Sequence, residues 1–403
     1  MFDNEFPPLG GGTGVVNFHL LQQMARYPDV TVDLVTSSRS RTDWTTKRFA
    51  DRIMIYAVPV DNRNIHHARN SELLRYAWRG WRMARQLLKQ HRYDVSFAFA
   101  GVPAGAISYL LRVAHGLPYV LSLQGPDVPG FEARYNYIYP VLAPLIKLIW
   151  RRAGVVTAIS AEQEMLAHRT MPDLSLVTIP NGVDTDQFTP ATGKPTGPFT
   201  FLCVARLIER KGQHHLLEAF AQLRRGCKRS LRLIFVGTGD AEPELRDLAV
   251  RLSIIDAVTF KGFLSRDQMP PIYREADVFA LPSQQEGMSI ALLEAMASGL
   301  PVIVTDTGGT AELVTQGLNG EIVGWNDVPA LTAALRHLLD SDDLRRRMGE
   351  ESRRRALQFG WPVLATRYLE LCARVMRPIS EIQRKLDSSP LDVGGNLYKE
   401  PEA

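Results

Sequence analysis

Cysteine is scarce: three in 403 residues. Cys203, Cys227 and Cys372 show no paired spacing, which excludes a disulfide framework and points to reduced thiols in a cytosolic compartment. No apolar run reaches the ~18–20 residues of a membrane-spanning helix. The opening MFDNEFPPLGGG lacks the charged and apolar regions of a secretory signal, so none is expected. Of the nine histidines, His66-His67 and His214-His215 are adjacent pairs, not the i, i+4 pairs that present a metal from one helix face. No metal site is expected. Neither sign of charge dominates: 47 Lys+Arg against 43 Asp+Glu give +4. That modest excess, without a recognition motif, argues against nucleic acid as a partner.

What is present reads as soluble and globular, with 45% hydrophobic and 22% charged residues. The length suits two domains of roughly 150–200 residues each. Residues 1–190 carry the whole charge excess, 20 basic against 16 acidic, while 191–403 hold 27 of each. Much of the excess lies in 63–92. There Arg63, Arg69, Arg75, Arg79, Arg82, Arg85, Lys89 and Arg92 face one acid, Glu72, with Trp78, Trp81 and four leucines interleaved.

Strand and helix patterns alternate. Strands are expected at 30–38, 94–100, 119–125 and 155–160, with helices at 71–90 and 137–152 between them. The Pro/Gly/Asn/Asp-rich stretch 180–199 breaks the rhythm and reads as a linker. Alternation then resumes, with strands at 199–207, 231–239, 257–264, 277–283 and 301–306 and helices between and after them. The expected fold is α/β: two tandem doubly wound, Rossmann-like domains facing a cleft. The boundaries expected are 1–190, a linker at 191–198, 199–360, a helix at 361–376, and a polar tail at 380–403. Such sheets bind ligands outside the carboxyl ends of their strands.

Three local patterns carry chemistry. In PPLGGGTGVV (7–16) the glycines precede a helix, which suits a phosphate or sugar contact or a plain strand-to-helix turn. In VARLIERKGQ (204–213), Arg206 ends a strand and Lys211 precedes a helix. They form a diphosphate site or are solvated cations. In EGMSIALLEAMASGLPVIVTD (286–306), Glu286 stands in the loop after a strand, and Ser289 is a plausible N-cap. The amides of Met288, Ser289 and Ile290 would point at a ligand, favoured by the helix dipole if it is anionic. Glu294, inside the helix among apolar residues, needs a partner if buried, and a ribose diol would serve; otherwise it is an exposed helix acid.

Taken together, RLIERKG, EGMSIALLE and GLPVIVTDTGG resemble the donor-site motifs of the retaining family 4 glycosyltransferases, of GT-B fold. EFPPLGGG and IPNGVDTDQF resemble that family's glycine loop and domain-linking segment. The resemblance spans residues 5–376. By resemblance, Arg206 and Lys211 bind a donor diphosphate, and Glu286 contacts the transferred sugar with the amides of Met288, Ser289 and Ile290. Glu294 then holds the ribose. Gly10, Gly11 and Gly12 close over phosphates or acceptor, helix 361–376 crosses back to the N-terminal domain, and 262–264 lies near the base. The implied activity is transfer of a sugar from a UDP- or GDP-sugar to a hydroxyl acceptor, lipid-linked where 63–92 lies on an anionic membrane. The products expected are surface polysaccharides or glycolipids. No cofactor or metal is implied, because cations and helix dipoles neutralise the diphosphate. The implied location is cytoplasmic, either free or peripheral on the inner face of the cytoplasmic membrane.

Two departures from the family pattern stand out. In SLQGPDVPG (122–130), Gln124 occupies a position where the family often has His, and it cannot shuttle a proton; beside it, Asp127 either orients the acceptor hydroxyl or forms the turn before Val-Pro. Retaining transfer can dispense with an enzyme base, because the leaving phosphate can take the acceptor proton. The opening residues also leave little room for the apolar first strand, so a central strand is expected to be short or absent. Three rival readings are weighed. A nucleotide-sugar-binding protein without turnover would bind and not react. A dinucleotide-dependent oxidoreductase or epimerase needs a G-x-G-x-x-G after a clear strand. A phosphorylase needs a pyridoxal lysine, for which no context is found.

Overall fold

The computed structural model describes residues 1–9, 12–62, 68–131, 137–193 and 197–376. Gly10, Gly11, residues 63–67 and the tail 380–403 lie outside the described residues. The chain divides into two units, Met1–Pro180 with Trp361 onward, and Asn181–Gly360.

The first unit holds strands β1 (Val32–Ser38), β2 (Thr45–Ala50), β3 (Ile53–Pro59), β4 (Ser96–Phe99), β5 (Tyr119–Ser122), β6 (Val155–Ala158) and β7 (Leu176–Thr178). Its helices are α1 (Gly12–Met24), α2 (Asn70–Gln90), α3 (Ala106–His115), α4 (Tyr139–Arg152) and α5 (Ala161–Thr170). The second unit holds β8 (Phe199–Val204), β9 (Leu231–Val236), β10 (Val258–Phe260), β11 (Val278–Leu281), β12 (Val302–Thr305) and β13 (Gly320–Val323). Its helices are α6 (Gln213–Arg224), α7 (Glu242–Arg251), α8 (Met269–Arg274), α9 (Ile290–Ala297), α10 (Thr310–Leu313), α11 (Val328–Asp340) and α12 (Asp342–Ala356). The last helix, α13 (Trp361–Met376), belongs to the first unit.

The first unit's strands run in two sets, β2-β3-β1 and β4-β5-β6-β7, parallel except for β2. Met1–Asp3 joins them. The Phe2 amide donates to Phe97 O at 2.8 Å and its carbonyl accepts from Phe99 N at 2.9 Å. On the other side Val35 N donates to Met1 O at 2.9 Å and Asp3 N to Val35 O at 3.2 Å. The expected central strand is therefore present but reduced to a two-sided bridge at Phe2, which is 5% exposed. α13 packs on this unit. Trp361 stacks on His19 with centroids 5.0 Å apart, Tyr368 lies 5.2 Å from Phe97, and the Thr366 hydroxyl bonds Tyr27 at 2.8 Å.

The second unit has one six-stranded parallel sheet, ordered β10-β9-β8-β11-β12-β13. Numbered within the unit this is 3-2-1-4-5-6, the doubly wound order whose strand sequence reverses between its first and fourth strands. β8, FTFLCV, is buried along almost its whole length, as a central parallel strand covered on both faces must be. The unit begins at Asn181, whereas the sequence reading leaves 181–190 in the first domain and 191–198 as a linker and starts the second domain at 199. The reason is local bonding. Val183 N donates to Phe359 O at 2.9 Å, and the Arg353 guanidinium donates to the carbonyls of Thr185, Phe188 and Ala297 at 2.7–3.0 Å. These bonds tie 181–188 to α12 and α9, so Pro/Asn/Asp composition here marks an ordered turn series.

Candidate active site

The reversal between β8 and β11 brings together two loops, and Arg206, Lys211, Glu286, Met288 and Ser289 lie on them. Arg206 lies two residues past the end of β8. Its carbonyl accepts from Gln213 Nε2 at 2.8 Å, and Lys211 N donates to Ile208 O at 2.9 Å, so the turn from Arg206 to α6 is closed on itself. Gly212 ends that turn at φ +68°, and a Cβ there would sit 2.0 Å from Pro282 O, in the loop after β11. Only glycine allows this approach. Gln284 N donates to Arg210 O at 2.8 Å, a second tie between the loops.

The result is a side-chain contact across 75 positions. Lys211 Nζ lies 2.5 Å from Glu286 Oε1, which also accepts from Ser283 Oγ at 2.8 Å. Both charged side chains are 13% exposed. At that depth a Lys–Glu pair is poorly screened, and each charge depends on the other. Ser289 caps α9, its Oγ accepting from Leu292 N at 3.3 Å, as the sequence suggested. Gly309 N holds Gly287 O at 2.6 Å, and Asn181 Nδ2 holds Met288 O at 3.0 Å. The approach to α9 through Met288, Ser289 and Ile290 is thus fixed from both sides.

Glu294 is buried, 8% exposed, and so is not the surface acid of the bland alternative. Its Oε2 accepts the Tyr273 hydroxyl at 2.8 Å. Burial drives its pKa up from the ordinary carboxyl value to about 7, opposed by the Arg266 charge and by the Tyr273 hydrogen bond. Tyr273 and Arg266 were not anticipated. Their only signal is a short helical pattern at 266–276, which says nothing of which helix they face. Asn181 was missed for the same reason, since it acts through Met288, 107 positions on; Ser283 was missed although it bonds Glu286 within one loop.

In the first unit Asp127 is 9% exposed, and both its oxygens face inward. Oδ2 accepts from Gly101 N at 2.7 Å, and Oδ1 accepts from the amides of Gln124 and Gly125 at 2.9 Å. This geometry is that of a loop-forming carboxylate, with three backbone amides on its two oxygens. Gln124 Nε2 donates to Ser122 Oγ at 2.8 Å, and Ser122 also meets Thr157 and, on α13, Tyr368. Gly12 opens α1; Gly11 is outside the described residues. On α2 the exposed positions include Leu74, Trp78, Arg82, Arg85 and Lys89, one stripe at helical spacing. Trp78 is 63% exposed. Among the described residues no helix is long and apolar enough to cross a membrane, and no group of three metal-binding side chains occurs.

Comparison with known proteins matches residues 10–187 to the family model described as Glycosyltransferase Family 4, and residues 184–355 to Glycosyl transferases group 1. A GDP-mannose-dependent alpha-(1-6)-phosphatidylinositol monomannoside mannosyltransferase of Mycobacterium tuberculosis is 31% identical over 301 residues, covering 70% of this chain and 76% of the relative. The chain belongs to glycosyltransferase family 4. The transferase is also 33% identical over 275 residues to the putative colanic acid biosynthesis glycosyltransferase WcaL of Escherichia coli, covering 64% of this chain and 65% of the relative. Its fold matches that of Anabaena Alr3699/HepE in complex with UDP and glucose, with a TM-score of 0.71 and 19% identity over 92% of this chain and 98% of that one. The architecture is GT-B, with two Rossmann-like domains. The strand reversal in the second unit is where that architecture gathers Arg206, Lys211 and Glu286.

Proposed function

We propose that this glycosyltransferase takes its sugar from a nucleotide-diphosphate sugar and transfers it, with retention of configuration, to a hydroxyl on a lipid-linked acceptor. The observation that carries the donor half is the convergence of Lys211, Glu286 and Ser283 at the carboxyl ends of β8 and β11, with Arg206 at the end of β8. Lys211 and Arg206 supply countercharge for a diphosphate, and Glu286 accepts hydrogen bonds from sugar hydroxyls. The Lys211–Glu286 pair holds both groups in place before the donor arrives. In the transfer, the C1–O bond to the β-phosphate breaks as the acceptor oxygen bonds C1 on the same face. The leaving phosphate oxygen takes the acceptor proton, so no enzyme base is required. Stabilising the developing phosphate charge is the principal catalytic task. No metal is needed for it, and activity is expected to survive EDTA. The GDP-mannose dependence of the mycobacterial relative and the UDP in the Anabaena structure both support a nucleoside diphosphate leaving group.

The test is incubation with UDP- and GDP-sugars and vesicles containing phosphatidylinositol- or polyprenyl-linked acceptors. Acceptor-dependent nucleoside diphosphate release and an α-anomeric coupling in the product from an α-linked donor are expected. A β coupling would refute retention, and donor binding without turnover would support a sugar-nucleotide-binding protein instead.

The acceptor half of the proposal rests on the outer face of the first unit. The α2 stripe carries Leu74, Trp78, Arg82, Arg85 and Lys89, with the Arg85 guanidinium 4.9 Å from the Trp81 ring centroid. α3 packs between α2 and α4. α4, YPVLAPLIKLIWRR, exposes Val141 (77%), Leu145 and Leu148 beside Lys147, Arg151 and Arg152. Neither α3 nor α4 contains an acid, and the one acid of α2, Glu72, is buried. Apolar side chains among cations without acids fit an anionic bilayer surface. Cosedimentation with phosphatidylglycerol vesicles is expected, with little binding to phosphatidylcholine and a loss of about tenfold in Trp78→Ala/Arg82→Ala, since each cation near the surface is worth ~1 kcal/mol. Equal binding to both lipids, or to neither, would remove the membrane from the account.

A further inference from the structure

Three polar side-chain atoms lie unpaired at the carboxyl end of the β2-β3-β1 set. Among the described residues, Thr36 Oγ1 and Ser38 Oγ on β1 and Asn62 Oδ1 just after β3 are shielded from water and have no hydrogen-bond partner. Thr36 is 3% exposed and Asn62 7%. Thr36 and Ser38 stand two apart on one strand, so they share a face of the sheet. Parallel pairing carries on past both strands: Val60 N donates to Ser38 O at 3.3 Å, and Asp61 N to Ser40 O at 3.0 Å. Asn62 follows directly. A buried polar group without a partner is costly. Three of them at one strand end, where doubly wound sheets bind ligands, mark atoms whose partners arrive with a ligand.

Two arginines of α2 reach the same end. Arg75 Nη1 donates to Val60 O at 2.8 Å, and Arg79 Nη1 donates to Arg41 O at 3.2 Å and to Pro59 O. The bonds described engage Nη1 in both. The Nε–Nη2 edge of a guanidinium is a fork that matches two oxygens of a phosphate. The two residues are a turn apart, and each directly follows a member of the exposed stripe, Leu74 and Trp78. They therefore stand between that stripe and the strand ends. Arg39 and Arg41, both exposed, add positive charge after β1. Two acids accompany them: Asp43, bonded by the Ser40 and Thr42 hydroxyls at 3.0 Å, and Asp61, 3.8 Å from Arg75 Nη1.

We propose that the carboxyl ends of β1 and β3 bind a phosphorylated polyol, Arg75 and Arg79 taking the phosphate and Thr36, Ser38 and Asn62 the hydroxyls. This site rests on the acceptor half of the reading above and names what joins lipid to head group, a phosphate. A polyol hydroxyl donates to Asn62 Oδ1, while Thr36 and Ser38 can each donate and accept. In this structure the three atoms are shielded, so the head group reaches them as the surrounding loops part. Each bond it makes then replaces one that is unmade. The arginines alone would hold any phosphate; the polar atoms select one that carries hydroxyls.

The experiment titrates the full chain, without sugar nucleotide, with myo-inositol 1-phosphate, glucose 1-phosphate, myo-inositol and inorganic phosphate. A phosphorylated polyol is expected to bind at least about tenfold more tightly than inositol or phosphate alone. Arg75→Gln/Arg79→Gln should weaken it about tenfold or more, since two charge-assisted contacts are lost, and Asp61→Asn, which removes a competing carboxylate, should tighten it. Thr36→Val separates ligand contact from structure. It should raise Tm, because a methyl replaces an unpaired buried hydroxyl, and yet weaken the phosphorylated polyol about threefold to tenfold. A hydroxyl with only a structural role would leave affinity unmoved. Equal binding of inorganic phosphate, binding of none of the four, or unchanged affinity in Thr36→Val and the double variant overturns the inference. Cosedimentation with phosphatidylinositol and phosphatidylglycerol vesicles, alike in charge, separates the sources. Preference for phosphatidylinositol puts the head group on a lipid; soluble binding without that preference keeps the site and removes the lipid from the acceptor. Lipid-dependent transfer with no probe bound overturns this site alone and leaves the acceptor reading intact.

Discussion

Replacing Lys211 by alanine is expected to lower turnover by ~10²–10³, the loss typical of one transition-state donor. The KM for the donor should change less than kcat, because charge on the β-phosphate grows as the bond to the sugar breaks and the countercharge matters most then. The structure adds a second consequence. Lys211 is paired with Glu286 at 2.5 Å, and without it Glu286 keeps only the Ser283 hydroxyl among its observed contacts at Oε1. A carboxylate at 13% exposure that loses its cation is destabilised, so the melting temperature must be followed alongside kcat. Lys211→Arg keeps the charge and separates the two effects. A folded Lys211→Ala protein with wild-type turnover would remove this residue from the diphosphate site.

Glu294→Ala is expected to weaken the donor by ~10- to 100-fold, the range for hydrogen bonds to a charged group. The effect must depend on pH. With its midpoint raised to about 7, Glu294 is largely protonated at pH 6 and ionised at pH 8. Wild-type affinity should therefore rise through that interval, and that of Glu294→Ala should stay flat. The same shift acts on stability with the opposite sign. The folded protein holds this proton more tightly than the unfolded chain, so the contribution is complete below the ordinary carboxyl pKa and is lost as pH rises through about 7. Calorimetric titrations at pH 6, 7 and 8 check both variants, and a pH-independent wild-type affinity would contradict the ribose assignment.

The α/β class was legible because strands such as FTFLCV and LRLIFV are continuous apolar runs set between amphipathic helices, the imprint of a covered parallel sheet. Less legible were strands that owe their existence to a neighbour. β2, TTKRFA, is an exposed antiparallel edge without hydrophobic alternation. β7 and β13 are three and four residues long. The central strand shrinks to Phe2, whose pairing on both sides no local pattern announces. At the site, Lys211 and Glu286 could be chosen from their places at a helix start and a strand end. That they touch depends on Gly212 closing against Pro282, a tertiary fact. Asp127 shows the converse: a carboxylate beside a strand end looked catalytic, and its three backbone amides make it a loop anchor. Asn181 and Arg353 show why composition alone did not place 181–198 with the second unit, since Pro and Asn mark turns whether or not those turns are bonded into a domain.

The central claim is that the second unit's strand reversal holds a nucleoside diphosphate sugar. Its most direct test is calorimetric titration of wild type and Glu294→Ala with UDP-, GDP- and ADP-sugars at pH 8. Binding of one nucleotide class by wild type, weakened at least tenfold in the variant, is the predicted result. Binding of none, or equal binding by both proteins, would contradict it.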